Sequence, residues 1–168
     1  MTISMYQSSV PVFVKTLGNL AAILEKGEAF AAAKKVDPSV LLGYRLAPDM
    51  LNLTRQVQIA ADHGKGAPAR LAGIEPPAYE NSETSFADLK ARIDKTVTFL
   101  NTLRPAQIDG SEGREIVIKA GSNTFNFKAQ AYLLHYAMPN FFFHVTTAYG
   151  ILRHCGVEIG KKDFIGQV

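Results

Sequence analysis

Apolar side chains at Tyr6, Val10, Phe13, Leu17, Leu20 and Leu24 recur at alternating steps of four and three, the spacing that lines one face of a bundle helix. The pattern predicts a first helix over about residues 4–25. Pro11 either bends its first turns or marks its start, Gly27 reads as its stop, and Asp37-Pro38 opens a new segment. A second helix is expected after Ala47-Pro48-Asp49, through Met50, Leu53, Val57, Ala60 and Ala61 toward Gly64. Residues 64–83 read as loop, because Gly64, Gly66, Pro68, Gly73, Pro76 and Pro77 do not suit a regular helix. Within that stretch, Ala69-Arg70-Leu71-Ala72 adds one short turn at most.

Ser85 has the character of an N-cap, with Asp88 three residues on and Phe86, Leu89, Ile93, Leu100 and Leu103 along one face of a third helix that Pro105 ends. A polar loop, Asp109-Gly110-Ser111-Glu112-Gly113, leads to the β-branched alternation Glu115-Ile116-Val117-Ile118-Lys119. Thr124-Phe125-Asn126-Phe127 follows Ala120-Gly121-Ser122-Asn123, which predicts a small hairpin. The last long segment runs from Ala129 to about His154, and Pro139 within it either kinks one helix or separates a short helix from the main one. No internal repeat is visible. The expected fold is all-α: a four-helix bundle with a small β-hairpin insertion before the last helix, in a single domain over residues 1–168.

Composition changes this picture only by exclusion. In 168 residues, 47% are hydrophobic and 20% charged, which is enough apolar side chain to bury a core. The single Cys forms no internal disulfide, and the first residues lack the charged start and apolar run of a secretion signal, so the reading is a cytoplasmic protein. No apolar run approaches the roughly 20 residues of a membrane span. The net charge of +3 is spread thinly, with no basic stripe, which argues against nucleic-acid binding.

Chemistry is sought first at the four histidines, since a metal site needs imidazoles or carboxylates converging on one point. His135 and His144, nine residues apart, point to roughly opposite sides of a straight helix. Asn140 and His144, four apart, share a face. His144 is the best single candidate, although a histidine on an apolar, aromatic helix is more often a hydrogen-bonded core residue than a ligand. His63 and His154 are read as helix-end residues facing solvent. Gln56 and Gln58 flank the second helix's apolar seam, so one of them turns inward or both face water. Cys155 lacks a neighbouring base and sits at the negative end of a helix, so it is not read as a nucleophile. Tyr132, Tyr136, Phe141, Phe142, Phe143 and Tyr149 crowd the last segment. Three consecutive phenylalanines nearly encircle a helix, so at least one leaves the seam and meets a loop, a cavity or another subunit.

The segment from His144 to Val157, ending in Leu152-Arg153-His154-Cys155-Gly156, resembles the closing helix of the DinB/YfiT-like metalloenzyme superfamily. Arg45-Leu46-Ala47-Pro48-Asp49-Met50, Arg55-Gln56-Val57-Gln58-Ile59-Ala60, Arg70-Leu71-Ala72-Gly73, residues 139–149 and Gly160-Lys161-Lys162-Asp163-Phe164 resemble an uncharacterised domain-of-unknown-function family within it. The resemblance spans nearly the whole chain. It implies a four-helix bundle, commonly a homodimer, in which three histidines hold a divalent metal, one from the second helix and two from an H-x-x-x-H pair on the last. In relatives with assigned activity that metal activates a thiol. Here only His144 matches; Asn140 stands at the first position of the pair and Gln56 falls near the second-helix position. Neutral amides are poor ligands for zinc or nickel. His135 and Asp62 are the remaining candidate ligands, neither at the expected spacing.

Three functions follow as expectations. The first is a DinB-like bundle with a degenerate metal site and a polar central pocket of Gln56, Asn140 and His144, with His135 and Tyr149 nearby, that binds a small ligand or partner. The second is a divalent-metal-dependent thiol transferase or hydrolase with His144 as a ligand. The third is a structural dimerisation module.

Overall fold

The structure, a computed structural model, describes residues 3–167, apart from the side chain of Ala120. Met1, Thr2 and Val168, at the ends of the expected domain, lie outside the described residues.

The chain is mostly helical, with one two-stranded antiparallel sheet. Helix α1 (Val10–Lys34) buries Val10, Phe13, Leu17, Leu20 and Leu24 of the expected seam, together with Ile23. It starts next to Pro11, where a missing N–H costs nothing in a first turn, and continues past Gly27 instead of stopping there. A Cβ at position 27 would stand 3.0 Å from Leu152 Cδ2 and 3.3 Å from Phe86 Cε1, so Gly27 lets two neighbouring helices close on α1. Asp37 accepts a hydrogen bond from Ser39 N–H (2.8 Å) and caps the short α2 (Pro38–Leu42).

Helix α3 (Leu53–Leu71) corrects two expectations. It begins at the Asn52 cap, whose side chain accepts from Arg55 N–H (3.1 Å), rather than just after Pro48, and it runs through Gly64, Gly66 and Pro68 where a loop was expected. Gly64 brings α3 against Leu17 and Phe141, the first of which would lie 3.1 Å from an added Cβ. Burial of Ala67, Pro68, Ala69 and Leu71 offsets the hydrogen bond that Pro68 cannot make. Only then does the chain turn, at Gly73 with φ +73°.

Helix α4 (Phe86–Leu100) is capped as predicted: Ser85 Oγ accepts from Asp88 N–H (3.1 Å) and Asp88 Oδ2 from Ser85 N–H (3.0 Å). Pro105 opens a further short helix, α5 (Pro105–Ile108). Strands β1 (Glu115–Ala120) and β2 (Asn123–Lys128) form the expected hairpin, with Gly121 at φ +59° in its tight turn. Ile116 pairs with Phe127 and Ile118 with Phe125, making one apolar face. Phe127 from that face packs on Tyr136 at 5.3 Å between ring centroids.

The last segment neither breaks nor separates at Pro139. Helix α6 (Ala129–Tyr132) passes through a π-helical turn (Leu133–Ala137) into α7 (Met138–His154), with helical backbone angles at each junction. The widened turn, closed by Met138 N–H on Leu133 O, inserts one residue just before Pro139. Helix α8 (Lys161–Ile165) returns to pack on α1. The long helices α1, α3, α4 and α7 enclose the core, where Phe13 meets Phe141 edge-to-face at 4.8 Å. Among the described residues no helix is long and apolar enough to cross a membrane.

Candidate functional site

Gln56, His63 and Arg70 recur every seventh residue along α3, so all three sit on one helix face. Tyr132, Tyr136, Asn140 and His144 recur every fourth residue from α6 to α7. The two rows face each other antiparallel: Gln56 meets His144, His63 lies between Tyr136 and His144, and Arg70 reaches Tyr132 Oη at 3.3 Å. A polar seam thus runs through the packing of α3 on α7.

Its best-defined contact fixes proton positions. Gln56 Nε2 donates to Leu51 O at 3.0 Å, so Oε1 is the atom that faces His144 Nδ1 at 2.7 Å. An amide oxygen only accepts, and His144 therefore carries its proton on Nδ1, with a lone pair on Nε2. Gln56 is 1% and His144 9% exposed, so neither could be buried cheaply without the other. Burial lowers the His144 pKa from its ordinary value. His63 stacks on His144 with centroids 6.0 Å apart and planes 16° from parallel, and packs on Tyr136 at 6.2 Å. Burial first, and then the neighbouring imidazole, push the His63 pKa down to about 4. At neutral pH the seam holds two uncharged imidazoles.

Asn140 is half-buried on the same face, but its Nδ2 donates to Tyr136 O (2.7 Å) on its own helix. His135 is exposed in the π-helical turn and does not join the seam, consistent with its offset from His144 around the helix. Tyr149 does not join it either. Five residues past His144 is about 140° around the helix, and its ring packs edge-to-face on Phe164 of α8 at 5.8 Å. His154 behaves as expected of an exposed helix-end residue, with Nε2 3.0 Å from Tyr44 Oη. His63 does not: it lies inside α3, because the helix continues over the glycines that appeared to end it. The seven-residue step from Gln56 was the signal for it. Burial raises the Cys155 thiol pKa, which opposes thiolate formation.

Both glutamines turn inward, Gln58 into a second polar cluster. Arg92 of α4, 4% exposed, donates to Asp62 Oδ1, Glu83 Oε1 and the Glu80 carbonyl, each at 2.8 Å. Lys65 pairs with Asp62, and Gln58 bridges Arg55 and Glu83 at 2.6 Å on either side. Asp62 is therefore held in ion pairs on another face of α3 and is not a partner of His144. Nothing in the sequence pattern marked Arg92 beyond one cation on an apolar face.

The resemblance implies a divalent metal, and the residues of the seam do not offer it three converging imidazoles. One nitrogen of His144 is taken by Gln56, the Asn140 amide nitrogen by its own helix, and the His63 ring lies against His144 rather than converging with it. Among the described residues no group of three or more His, Cys, Asp or Glu is placed to hold a metal ion. The seam does not fit a trihistidine centre.

The mostly helical fold is DinB-like. The chain is similar to a DinB family member protein from Shewanella denitrificans whose crystal structure is known, with 44% identity over 97% of this chain and 92% of that one and a TM-score of 0.88. Residues 5–165 match the domain of unknown function DUF1993, and the chain belongs to that family. No curated protein matches it.

Proposed function

We propose that this protein is a single-domain DinB-like four-helix bundle, formed by α1, α3, α4 and α7, whose α3–α7 seam binds a small ligand by hydrogen bonds rather than through a metal ion. The observation that carries this is the 2.7 Å bond between Gln56 and His144, which occupies one imidazole nitrogen and presents the other as a lone pair. Such a lone pair accepts from a hydroxyl, amide or thiol. Asn140, His144 and the newly found His63 supply the polar edge, and the hairpin aromatics its apolar wall. Arg70, at one end of the same row, adds a fixed positive charge.

Elemental mass spectrometry on untagged protein purified without chelator, beside His144→Ala, tests this reading. Neither protein should retain stoichiometric zinc, nickel, manganese or iron, before or after incubation with the ions. Near-stoichiometric metal in the wild type that vanishes in the variant would overturn it. That result would favour the second reading, a divalent-metal-dependent thiol transferase or hydrolase. One observation points that way: His63 brings a second imidazole to the side of His144.

A further inference from the structure

At the C-terminal end of α3, about 21 Å along its axis from Gln56, a cleft of about 270 Å³ opens between the residues that follow the helix and the start of β1. Arg70 and Arg114 line it, together with Ile74, Pro76 and Val117. Two glycines make room for the guanidinium groups. A Cβ at position 66 would stand 2.6 Å from Arg70 Nη1, and one at position 73 would stand 2.9 Å from Arg114 Nη1. Gly66 therefore lets Arg70 fold back along its own helix to Tyr132 Oη at 3.3 Å, and Gly73 lets Arg114 donate to the Leu71 carbonyl that ends α3.

Charge in this cleft is not balanced. Among the described residues neither arginine is in an ion pair. Glu75 and Glu115 also line the cleft, but Glu115 pairs with Lys128 at 3.0 Å, which leaves the exposed Glu75 against two guanidinium groups. The Leu71 carbonyl, at the negative end of α3, answers Arg114 in part. Arg70 has no such acceptor, since its bond through Nη1 is to the neutral Tyr132 hydroxyl. Nε and Nη2 of this half-buried side chain bond no protein group among the described residues, and both are accessible rather than buried. Beside them, Ile74 and Val117 are 41% and 54% exposed, an apolar wall open to solvent. A guanidinium with two reachable nitrogens and no carboxylate of its own matches a planar carboxylate on parallel N–H bonds.

We propose that this cleft binds a small monocarboxylate with a short apolar body, its carboxylate on Arg70 with Arg114 beside it and its body against Ile74, Pro76 and Val117. One net positive charge suits a monoanion, and Glu75 in the wall disfavours a phosphate dianion. The volume lies just under the usual range of ligand pockets, which limits the body to a few carbons. Arg70 ends the row that begins at Gln56, but the site does not depend on the contact between Gln56 and His144, so its failure and that of the seam reading are distinguishable.

The test is a ¹⁵N–¹H NMR titration of the full chain with 3-methylbutanoate, its neutral amide and inorganic phosphate, at constant ionic strength set with chloride. The expected result is saturable shifts at residues 70–76 and 114–117 with the carboxylate, and weaker binding of both the amide and phosphate. Arg70→Gln should lower the carboxylate affinity roughly tenfold, the loss of one charge-assisted hydrogen bond. Gly66→Ala keeps every charge and suits a helix interior, but its Cβ displaces the Arg70 guanidinium, so it should weaken binding while the protein stays folded. Lys15→Gln removes one positive charge from an exposed position on α1 and should change nothing. Absence of saturable shifts with the carboxylate, binding of the amide or phosphate as tight as that of the carboxylate, equal affinity in wild type and Gly66→Ala, or an equal loss in Lys15→Gln and Arg70→Gln would overturn the proposal.

Discussion

Acidification should loosen the α3–α7 packing in a pH range set by His63. Its pKa stands at about 4 in the folded protein against an ordinary 6.5, chiefly through burial and then through the stacked His144 ring. Asp62 opposes the shift, whereas Arg70 and Lys65 reinforce it; Tyr136 packs on the ring from α7. An imidazole with a depressed folded-state pKa binds protons more readily in the unfolded chain, so stability falls as pH drops from about 6.5 to about 4 and is level on either side. Applying the linkage relation to these two values gives a loss of about 2 kcal/mol between pH 7 and pH 5. The His144 pKa is lowered in the same direction and adds to the loss. Carboxylates such as Glu83, also held below their ordinary value, act in the same sense but at lower pH. Urea denaturation at pH 7, 6 and 5 measures the effect, and His63→Phe, which keeps a ring against Tyr136 and His144, isolates it. The wild type should lose stability over this interval and the variant much less. A folded-state His63 titrating above pH 6 by NMR, or identical pH slopes for wild type and variant, would refute the reasoning.

Gln56→Leu should destabilise the protein by about 2 kcal/mol in urea denaturation at pH 7, because it strands the buried Nδ1–H of His144; no measurable change would show that the bond is not made. Ser85→Ala removes half of the α4 capping box and should cost about 1 kcal/mol, read by thermal or urea unfolding. Gly156 turns the chain after α7 at φ +95°, so Gly156→Ala should cost roughly 1–2 kcal/mol through backbone strain, whereas Gly18→Ala, in open space on α1, should not destabilise. Phe143 is 56% exposed on α7, and if that ring joins two copies of the chain, Phe143→Ser should lower the mass measured by light scattering while leaving urea stability within about 0.5 kcal/mol.

Local signals were legible where the chain solves a local problem. The Ser85–Asp88 capping box, the hairpin across Ala120-Gly121-Ser122-Asn123 and the α1 seam from Phe13 to Leu24 all depend on groups within a few residues of one another, and each was read from local residue type and spacing, whereas Asp37 was read only as opening a new segment and proves to cap α2. Crowding at Phe141-Phe142-Phe143 likewise required one ring to leave the core, and Phe143 does. Where reading failed, a residue's meaning depended on a neighbour distant in sequence. Gly27 and Gly64 look like helix stops, yet each sits inside a helix, where Leu152 and Phe86 at the first and Leu17 at the second approach so closely that an added Cβ would crowd them. Pro68 and Pro139 look like breaks, yet burial around the first and a widened π-helical turn before the second keep both helices continuous.

The candidate site divides in the same way. The family resemblance, taken position by position, implied Asn140 and Gln56 where two of the three histidine ligands were expected. Spacing put Asn140 and His144 on one face of α7. Pairing Gln56 with His144, seating His63 between His144 and Tyr136, sending His135 to solvent and Tyr149 to α8, and gathering Arg70 and Arg114 at one cleft all required the packed helices. Helical periodicity specifies the direction a side chain takes from its own axis, but its partner depends on which helix lies opposite and in what register. Long-range packing sets that register, through glycines that permit close approach and a π-helical turn that shifts one row of side chains against another.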